Sequence, residues 1–426
     1  MYAIYSISLT IAAILSAPYW LFRGLRDRKY LLNFRQRLGW KMPKTALSRR
    51  PLWIHAVSVG EVLAAKPVFL ALRAARPDLP IVVSTVTVTG QALAQKELGS
   101  AELIFYFPFD WVFCVRRFLA TVAPKAVVLL ETELWPNFLR ECSKHRVPVI
   151  LANGRISDKS MRRYRLIPGL TKRMLGDISR FGVQSASDKR RFQLLGAPEE
   201  RIRVTGNLKF DFPVPDLKQQ AGMLELVRGA LGASGGDAII VAGSTMKGEE
   251  TLLLDAFDAV RKAQPSTRLV LAPRHPERFD EVAEIIRSRG LTFRRRSQAG
   301  SGCSGACPVL LLDTIGELRS VYALASVALI GGSFLPFGGH NPLEPAALGK
   351  AIVFGPEMSN FREIAGIFIR DQAARQCPIG ELSQTLIQLL SDARSREVLG
   401  QRAAATMRSN QGATESTLAL ILSRTG

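Results

Sequence analysis

Leu52-Trp53-Ile54-His55-Ala56-Val57-Ser58-Val59-Gly60-Glu61 reads as a buried strand that ends in a polar, glycine-marked turn and hands over to a helix. In an open parallel sheet, ligands bind in the crevice at the carboxyl ends of such strands. Gly60 is expected to let backbone approach backbone there. Glu61 is expected to open the helix with its carboxylate towards the crevice, where it could take a proton from a hydroxyl as general base. The helix dipole alone also favours a carboxylate in the first turn, by ~0.3–1 kcal/mol, so this position does not by itself decide between chemistry and capping.

Outward from this junction, short β-branched runs alternate with longer helical stretches, the pattern of parallel sheets covered by helices. The first half offers strands at Leu52–Val57, Ile81–Val86, Leu103–Phe107, Ala126–Leu130, Val147–Ala152 and Ile202–Thr205. The second offers Ala238–Ala242, Arg268–Ala272, Val309–Leu312, Val327–Ile330 and Ala351–Phe354. Phe210–Asp216, with two prolines and two aspartates, reads as the linker between them. A chain of 426 residues is longer than one hydrophobic core usually serves. The expectation is an α/β protein of two Rossmann-like domains facing across a cleft, residues 23–212 and 213–426. Ser297–Pro308, rich in Gly and Ser, reads as a flexible loop.

Residues 1–22 carry no charge and are long enough to meet a bilayer, while Arg23, Arg26, Arg28 and Lys29 follow directly. A cleavable signal would have its basic residues before the apolar run, so this segment reads as an anchor with the following domains on the cytoplasmic side. Pro18 is expected to shorten the helix, and Tyr19, Trp20 and Tyr30 suit the headgroup layer. A helix lying in the interface is the alternative.

With 57 Lys and Arg against 36 Asp and Glu the chain carries +21, which suits nucleic acid, an anionic membrane or a phosphorylated substrate. Nucleic acid is disfavoured, because no recognised binding motif and no aromatic platform accompany the charge. Five scattered cysteines do not make a disulfide framework, and Cys303 and Cys307 alone do not make a zinc site. The glycine-rich dinucleotide, P-loop, zincin and hydrolase motifs are missing, which leaves carboxylates, bases and backbone amides to do the chemistry.

Other strand ends carry polar clusters. Glu131-Thr132-Glu133-Leu134-Trp135-Pro136-Asn137 and Thr205-Gly206-Asn207-Leu208-Lys209-Phe210-Asp211 converge on the rim that holds Glu61. In the second half, Gly243-Ser244-Thr245 with the following helix start could bind a phosphate through two hydroxyls and exposed amides. Pro273-Arg274-His275 offers a guanidinium for phosphate or carboxylate, and in Gly338-Gly339-His340-Asn341-Pro342-Leu343-Glu344-Pro345, Glu344 could accept ribose hydroxyls.

Together with Gly316-Glu317-Leu318, these motifs occur in the order found in the 3-deoxy-D-manno-octulosonic acid (Kdo) transferases of lipopolysaccharide synthesis, and the chain closely resembles that family over nearly its whole length. The resemblance implies a GT-B fold whose last helix returns to the N-terminal domain. It also implies CMP-Kdo as donor, a tetra-acylated, bis-phosphorylated glucosamine disaccharide of the lipid A pathway as acceptor, and inversion without a metal or other cofactor. The N-terminal domain would take the acceptor and the C-terminal one CMP-Kdo. Glu61 would be the general base, with Glu131 and Lys209 near the transition state. Donor contacts would fall to Ser244, Thr245, Pro273, Arg274, Ile315, Gly316, Glu317, Asn341, Pro342, Leu343 and Glu344. Lys41, Arg49, Arg50, Arg162, Arg163, Arg165, Lys172 and Arg173 would meet the acceptor phosphates and the anionic lipids of the inner membrane. Two positions depart from the family pattern, Met246 where His is frequent and Gly154 where Ala is common. The competing readings are a UDP-N-acetylglucosamine transferase of the same fold and a membrane-tethered nucleic-acid-binding protein.

Overall fold

A computed structural model describes residues 1–26, 34–40, 49–211, 214–299 and 307–424. The chain divides into two compact units, Met1–Phe212 with Asn410–Gly426, and Pro213–Ser409.

The first unit is built on seven strands: β1 (Leu52–His55), β2 (Ile81–Thr85), β3 (Leu103–Tyr106), β4 (Ala126–Leu130), β5 (Val149–Gly154), β6 (Arg180–Val183) and β7 (Ile202–Val204). They form one sheet in the order β3-β2-β1-β4-β5-β6-β7, every pair parallel. Alternate side chains leave a strand on opposite faces, so a sheet covered on both sides needs apolar residues at every position. In β4, Val127 and Leu129 enter one core while Ala126, Val128 and Leu130 enter the other. Trp53 centres the first core, ringed by Phe105, Phe107, Phe118 and Phe138, with its indole N–H on Ser84 Oγ at 2.7 Å.

The chain's last helix, Ala413–Leu422, belongs to this unit: Leu420 and Ile421 pack with Ile54, Val128 and Ile150, and the Gly412 N–H donates to Asp211 Oδ1 at 2.9 Å. The N-terminal helix runs from Tyr2 to Arg26 straight through Pro18 rather than stopping short of it. Arg28, Lys29, Tyr30 and Lys41 lie outside the described residues.

The second unit repeats the plan with β8 (Ile239–Thr245), β9 (Arg268–Pro273), β10 (Phe293–Arg295), β11 (Val309–Leu311), β12 (Val327–Ile330), β13 (Ala351–Phe354) and β14 (Arg375–Gln376). Their order is β10-β11-β9-β8-β12-β13-β14, again all parallel. The expected pair of Rossmann-like sheets is therefore present, with β6, β10 and β14 in addition to the expected strands. Of the expected loop at Ser297–Pro308, the first residue is held: the Ser297 N–H and hydroxyl donate to the two oxygens of Asp313 at 2.8 and 2.7 Å. Residues 300–306, including Cys303, lie outside the described set.

Candidate functional site

In the first sheet the chain leaves β1 towards β2 and β3, then crosses to β4 on the other side. β1 and β4 are thus neighbours whose connections diverge, and the crevice at their carboxyl ends is the topological switch point. Glu61 follows β1 there and Glu131 follows β4.

The helix Val59–Ala75 starts at the cap residue Ser58, and Ser58-Val59-Gly60-Glu61 has the spacing of a capping box. Its bonds are different. The Ser58 hydroxyl donates to Glu61 Oε1 at 3.1 Å instead of capping an amide, and the Val57 N–H donates to Oε2 at 2.8 Å. Only 7% of Glu61 is exposed. Burial drives its pKa up to about 8; the negative charges of Glu131 and Glu133 push the same way, against the pull of the Val57 and Ser58 donors. Near neutral pH this carboxyl can therefore exchange a proton.

Gly60 does not serve a close backbone approach. It is exposed, and a Cβ there would meet nothing nearer than Ser58 Oγ at 4.0 Å, because its missing side chain points outward. The close approach is at Gly90, where a Cβ would lie 3.2 Å from the Val57 carbonyl.

Glu131 holds a left-handed backbone with φ +54°, and so does Asn153 at the end of the neighbouring β5 with φ +56°. Non-glycine residues persist in this region only when their surroundings over-determine them, and they concentrate at functional sites. The Glu131 N–H donates to the Ala152 carbonyl at 2.9 Å, and its carboxylate faces Lys209 Nζ at 3.3 Å and Arg155 Nε at 3.9 Å. Asn153 Oδ1 accepts from the Leu208 N–H at 3.0 Å, which fixes the Leu208–Asp211 turn that carries Lys209. Glu61, Glu131 and Lys209 are thus brought together as expected, along with Arg155 and Glu133. Arg155 is an addition to the expected set, and its sequence signal is its position directly after a strand that ends in Asn153-Gly154. His55 is no part of the accessible site. It is fully buried, stacked 3.8 Å over Phe107, bonded through Nδ1 to Ser84, and held neutral by a pKa driven down to about 3 by burial.

Of the basic residues expected to face the acceptor, Arg49 pairs with Asp78 at 3.1 Å. Arg50 donates to the Ala123 and Pro124 carbonyls. Both precede β1 and so sit at the amino end of the sheet, away from Glu61. Arg162, Arg163, Arg165, Lys172 and Arg173 are exposed.

In the second unit the switch point lies between β8 and β12. Gly243 is required there, because a Cβ would collide with the Tyr322 hydroxyl. Ser244 is half-buried and left-handed, with φ +60°. The expected phosphate cradle needs correction. Thr245 is fully buried and donates to Glu250 Oε1 at 3.0 Å, while Arg278 forks onto both oxygens of Glu250 at 2.7 and 3.1 Å. The Met246 amide is taken by Glu249, which also accepts from the Gly332 and Phe334 amides. The first carboxylates of the following helix fold inward and occupy the Thr245 hydroxyl and the Met246 amide, two of the donors expected for a phosphate.

Arg274 is exposed at the end of β9, and its N–H donates to the Thr245 carbonyl at 3.0 Å. Its charge reaches two groups of the Gly338–Pro345 segment. His340 is pushed down to about 4 by burial and then by Arg274 and His275. Glu344 is raised by burial, while Arg319, Asn341 and Arg274 pull it down. Asn341 Oδ1 accepts from the Leu343 N–H at 3.1 Å, and its side chain also bonds the Glu344 carboxyl. Arg274, Asn341 and Glu344 therefore gather as expected, with Arg319 and His340 in addition. Pro273, Pro342 and Leu343 are buried, so those side chains line the interior rather than a ligand. Ile315 is 81% exposed on a turn with Gly316 at φ +92°, and Glu317 accepts from Arg296 at 3.0 Å and Thr314 at 2.6 Å. Among the described residues no group of three or more His, Cys, Asp or Glu gathers to hold a metal ion.

Residues 32–212 match the family profile described as 3-deoxy-D-manno-octulosonic-acid transferase (kdotransferase). The chain is 32% identical over 402 residues to a 3-deoxy-D-manno-octulosonic acid transferase of Haemophilus influenzae, covering 93% of this chain and 92% of that one. It is 36% identical over 378 residues to the protein of the same description from Bordetella pertussis, covering 86% of each. Among solved structures, UDP-GlcNAc 2-epimerase from Neisseria meningitidis superposes with a TM-score of 0.60 over 88% of this chain and 100% of that one, at 12% identity, a likeness of fold.

Proposed function

The chain belongs to the 3-deoxy-D-manno-octulosonic acid (Kdo) transferase family, and on that footing we propose that it transfers Kdo from CMP-Kdo to a lipid A precursor, with inversion and with Glu61 as general base. The acceptor is a bis-phosphorylated, acylated glucosamine disaccharide, and the work is done at the cytoplasmic face of the inner membrane, in lipopolysaccharide synthesis.

One observation carries the mechanistic part: a nearly buried carboxyl at the switch point whose pKa stands at about 8. An acceptor hydroxyl gives its proton to Glu61 as its oxygen attacks the ketosidic carbon of Kdo. The bond from that carbon to the phosphate breaks, and CMP departs with the electron pair. Attack from the face opposite the leaving group inverts the carbon. A base with a pKa near the working pH combines a usable ionised fraction with a strong pull on the proton, which is worth about 10²–10⁴-fold in rate. Glu131 and Lys209 set the field around Glu61.

On the donor side, Arg274 meets the phosphate, whose growing negative charge a guanidinium stabilises without a metal ion. Ser244 and the exposed Ile315-Gly316 backbone add contacts, and Glu344, oriented by Asn341, accepts the ribose hydroxyls. Thr245, Pro273, Glu317, Pro342 and Leu343 hold these groups in place.

Mass analysis of the products formed by purified protein with CMP-Kdo and the lipid acceptor tests the reading. The expected product is acceptor plus Kdo. Transfer from UDP-N-acetylglucosamine and not from CMP-Kdo would overturn it.

A further inference from the structure

The N-terminal helix is fastened to the first unit along one face. The Tyr2 hydroxyl donates to Asp177 Oδ2 at 2.7 Å, Asn137 Nδ2 donates to Ser6 Oγ at 3.0 Å, and the Trp111 indole N–H donates to Thr10 Oγ1 at 3.1 Å. Positions 2, 6 and 10 share one side of a helix that turns about 100° per residue. Ile4, Ile11, Leu15 and Phe22 point the other way, Ile7 flanks them, Ile14 continues the docked side beyond its last contact, and all six are more than half exposed.

This attachment decides how the helix can meet a bilayer. Beyond Thr10 its uncharged stretch is Ile11–Phe22, which rises about 18 Å, against a hydrocarbon core of about 30 Å. The chain then returns to where it left. Gln36 accepts from the Tyr106 N–H at 3.1 Å, Arg37 donates to the Phe107 carbonyl at 2.9 Å, and the Phe34 ring lies 5.2 Å from Phe109. The helix from Thr10 to Arg26 is about 24 Å long. The eight links from Arg26 to Phe34 can span up to about 28 Å, enough to come back.

The point of departure and return is an aromatic shoulder. Phe34, Phe109, Trp111 and Phe113 follow one another at ring separations of 5.2, 5.5 and 6.1 Å, with Arg37 over Phe109 and Arg117 over Phe113. Phe34 and Phe113 are nearly half exposed. Aromatic rings flanked by cations suit the headgroup layer of an anionic membrane. At the other end of the docked stretch Met1 reaches Gly169, beside exposed Leu166 and Ile167 and the exposed Arg162, Arg163 and Arg165.

We propose that this helix is a monotopic anchor, embedding its apolar face and the aromatic shoulder in one leaflet of an anionic bilayer, with Met1 on the same side as both globular units. The inference rests on the membrane location proposed above and replaces a crossing helix with one that enters and leaves by the same surface.

Labelling of the full chain tests it. Ala3→Cys, with the five native cysteines replaced by serine and transfer activity retained, is expressed in cells that are converted to spheroplasts. The protein is expected in the membrane pellet, with the Ala3→Cys thiol modified by a membrane-impermeant maleimide only after lysis. Modification in intact spheroplasts would place the N-terminus across the membrane and overturn the monotopic arrangement alone. Absence from the pellet would overturn the membrane reading itself. Ile11→Asp with Leu15→Asp is expected to lower binding of the purified protein to anionic vesicles by about tenfold or more. Unchanged binding would remove the apolar face from the contact.

Discussion

Lys209 Nζ lies 3.3 Å from Glu131 Oε1, at the end of a chain of charges that leads to Glu61. The negative charge of Glu131 raises the Glu61 pKa, and the Lys209 ammonium offsets that charge. Two substitutions should therefore move the pH profile of transfer in opposite directions. Glu131→Gln should shift the rising limb of the rate to lower pH, and Lys209→Met should shift it to higher pH, each by about half a unit to one unit. The pH dependence of kcat in the two variants checks both signs, and shifts in the same direction would contradict the coupling.

Glu61→Gln should abolish transfer and change how stability depends on pH. A carboxyl whose folded pKa is about 8, against an ordinary 4.5, holds its proton more tightly in the folded protein. Ionising it costs stability, and that cost grows as pH rises from about 4.5 to 8. The Tm of Glu61→Gln relative to the parent should thus climb between about pH 5 and 8 and level off above it, by roughly 10 °C in all. A difference flat across that range would show that Glu61 ionises unhindered.

The two histidines held neutral give the opposite slope. His55 is held down to about 3 and His340 to about 4, so both stay neutral in the fold while their unfolded counterparts take up protons below about 6.5. Stability should be fully present above that pH and fall as the pH drops towards 4. His340→Gln should flatten part of this loss in the second unit, as thermal denaturation between pH 4.5 and 7.5 will read.

Arg278→Met should weaken the second unit severely, since it leaves the Glu250 carboxylate buried with only Thr245 as donor. Breaking a buried pair in this way costs about 3–5 kcal/mol, or roughly 6–20 °C in Tm for a unit of this size. Replacing Glu250 as well, by Leu, should restore part of the loss. A double variant no better than the single one would show that the carboxylate is not the source of the damage.

The strands that could be read from the sequence are those buried on both faces, where parallel pairing demands an unbroken apolar run such as Ala126–Leu130. β6 escaped because its four residues, Arg-Phe-Gly-Val, open with a charge and contain a glycine. β10 and β14 escaped because they are edge strands with no buried residue to make a pattern. At the site, Glu131 was legible because it stands directly after a readable strand, and Glu61 because it lies in the first turn of the helix that follows one. The inward turn of Thr245 was not, since it depends on Arg278, which reaches Glu250 across 28 residues of chain. The same holds for Leu343, which looks like a member of a loop motif and is in fact core. Side-chain direction at a strand end is a property of the tertiary fold, and sequence spacing does not contain it.

The packing of Ala413–Leu422 under the first sheet bears on biosynthesis. A ribosome makes most residues of the first unit early, yet Leu420 and Ile421 arrive only after the entire second unit has been synthesised. At ~5–20 residues per second that interval is roughly ten to forty seconds, during which Ile54, Val128 and Ile150 lack their final cover. Completion of the first unit is thereby made to wait for synthesis of the second, and a nascent chain cut short after Ser409 would carry a complete second unit beside an unfinished first one.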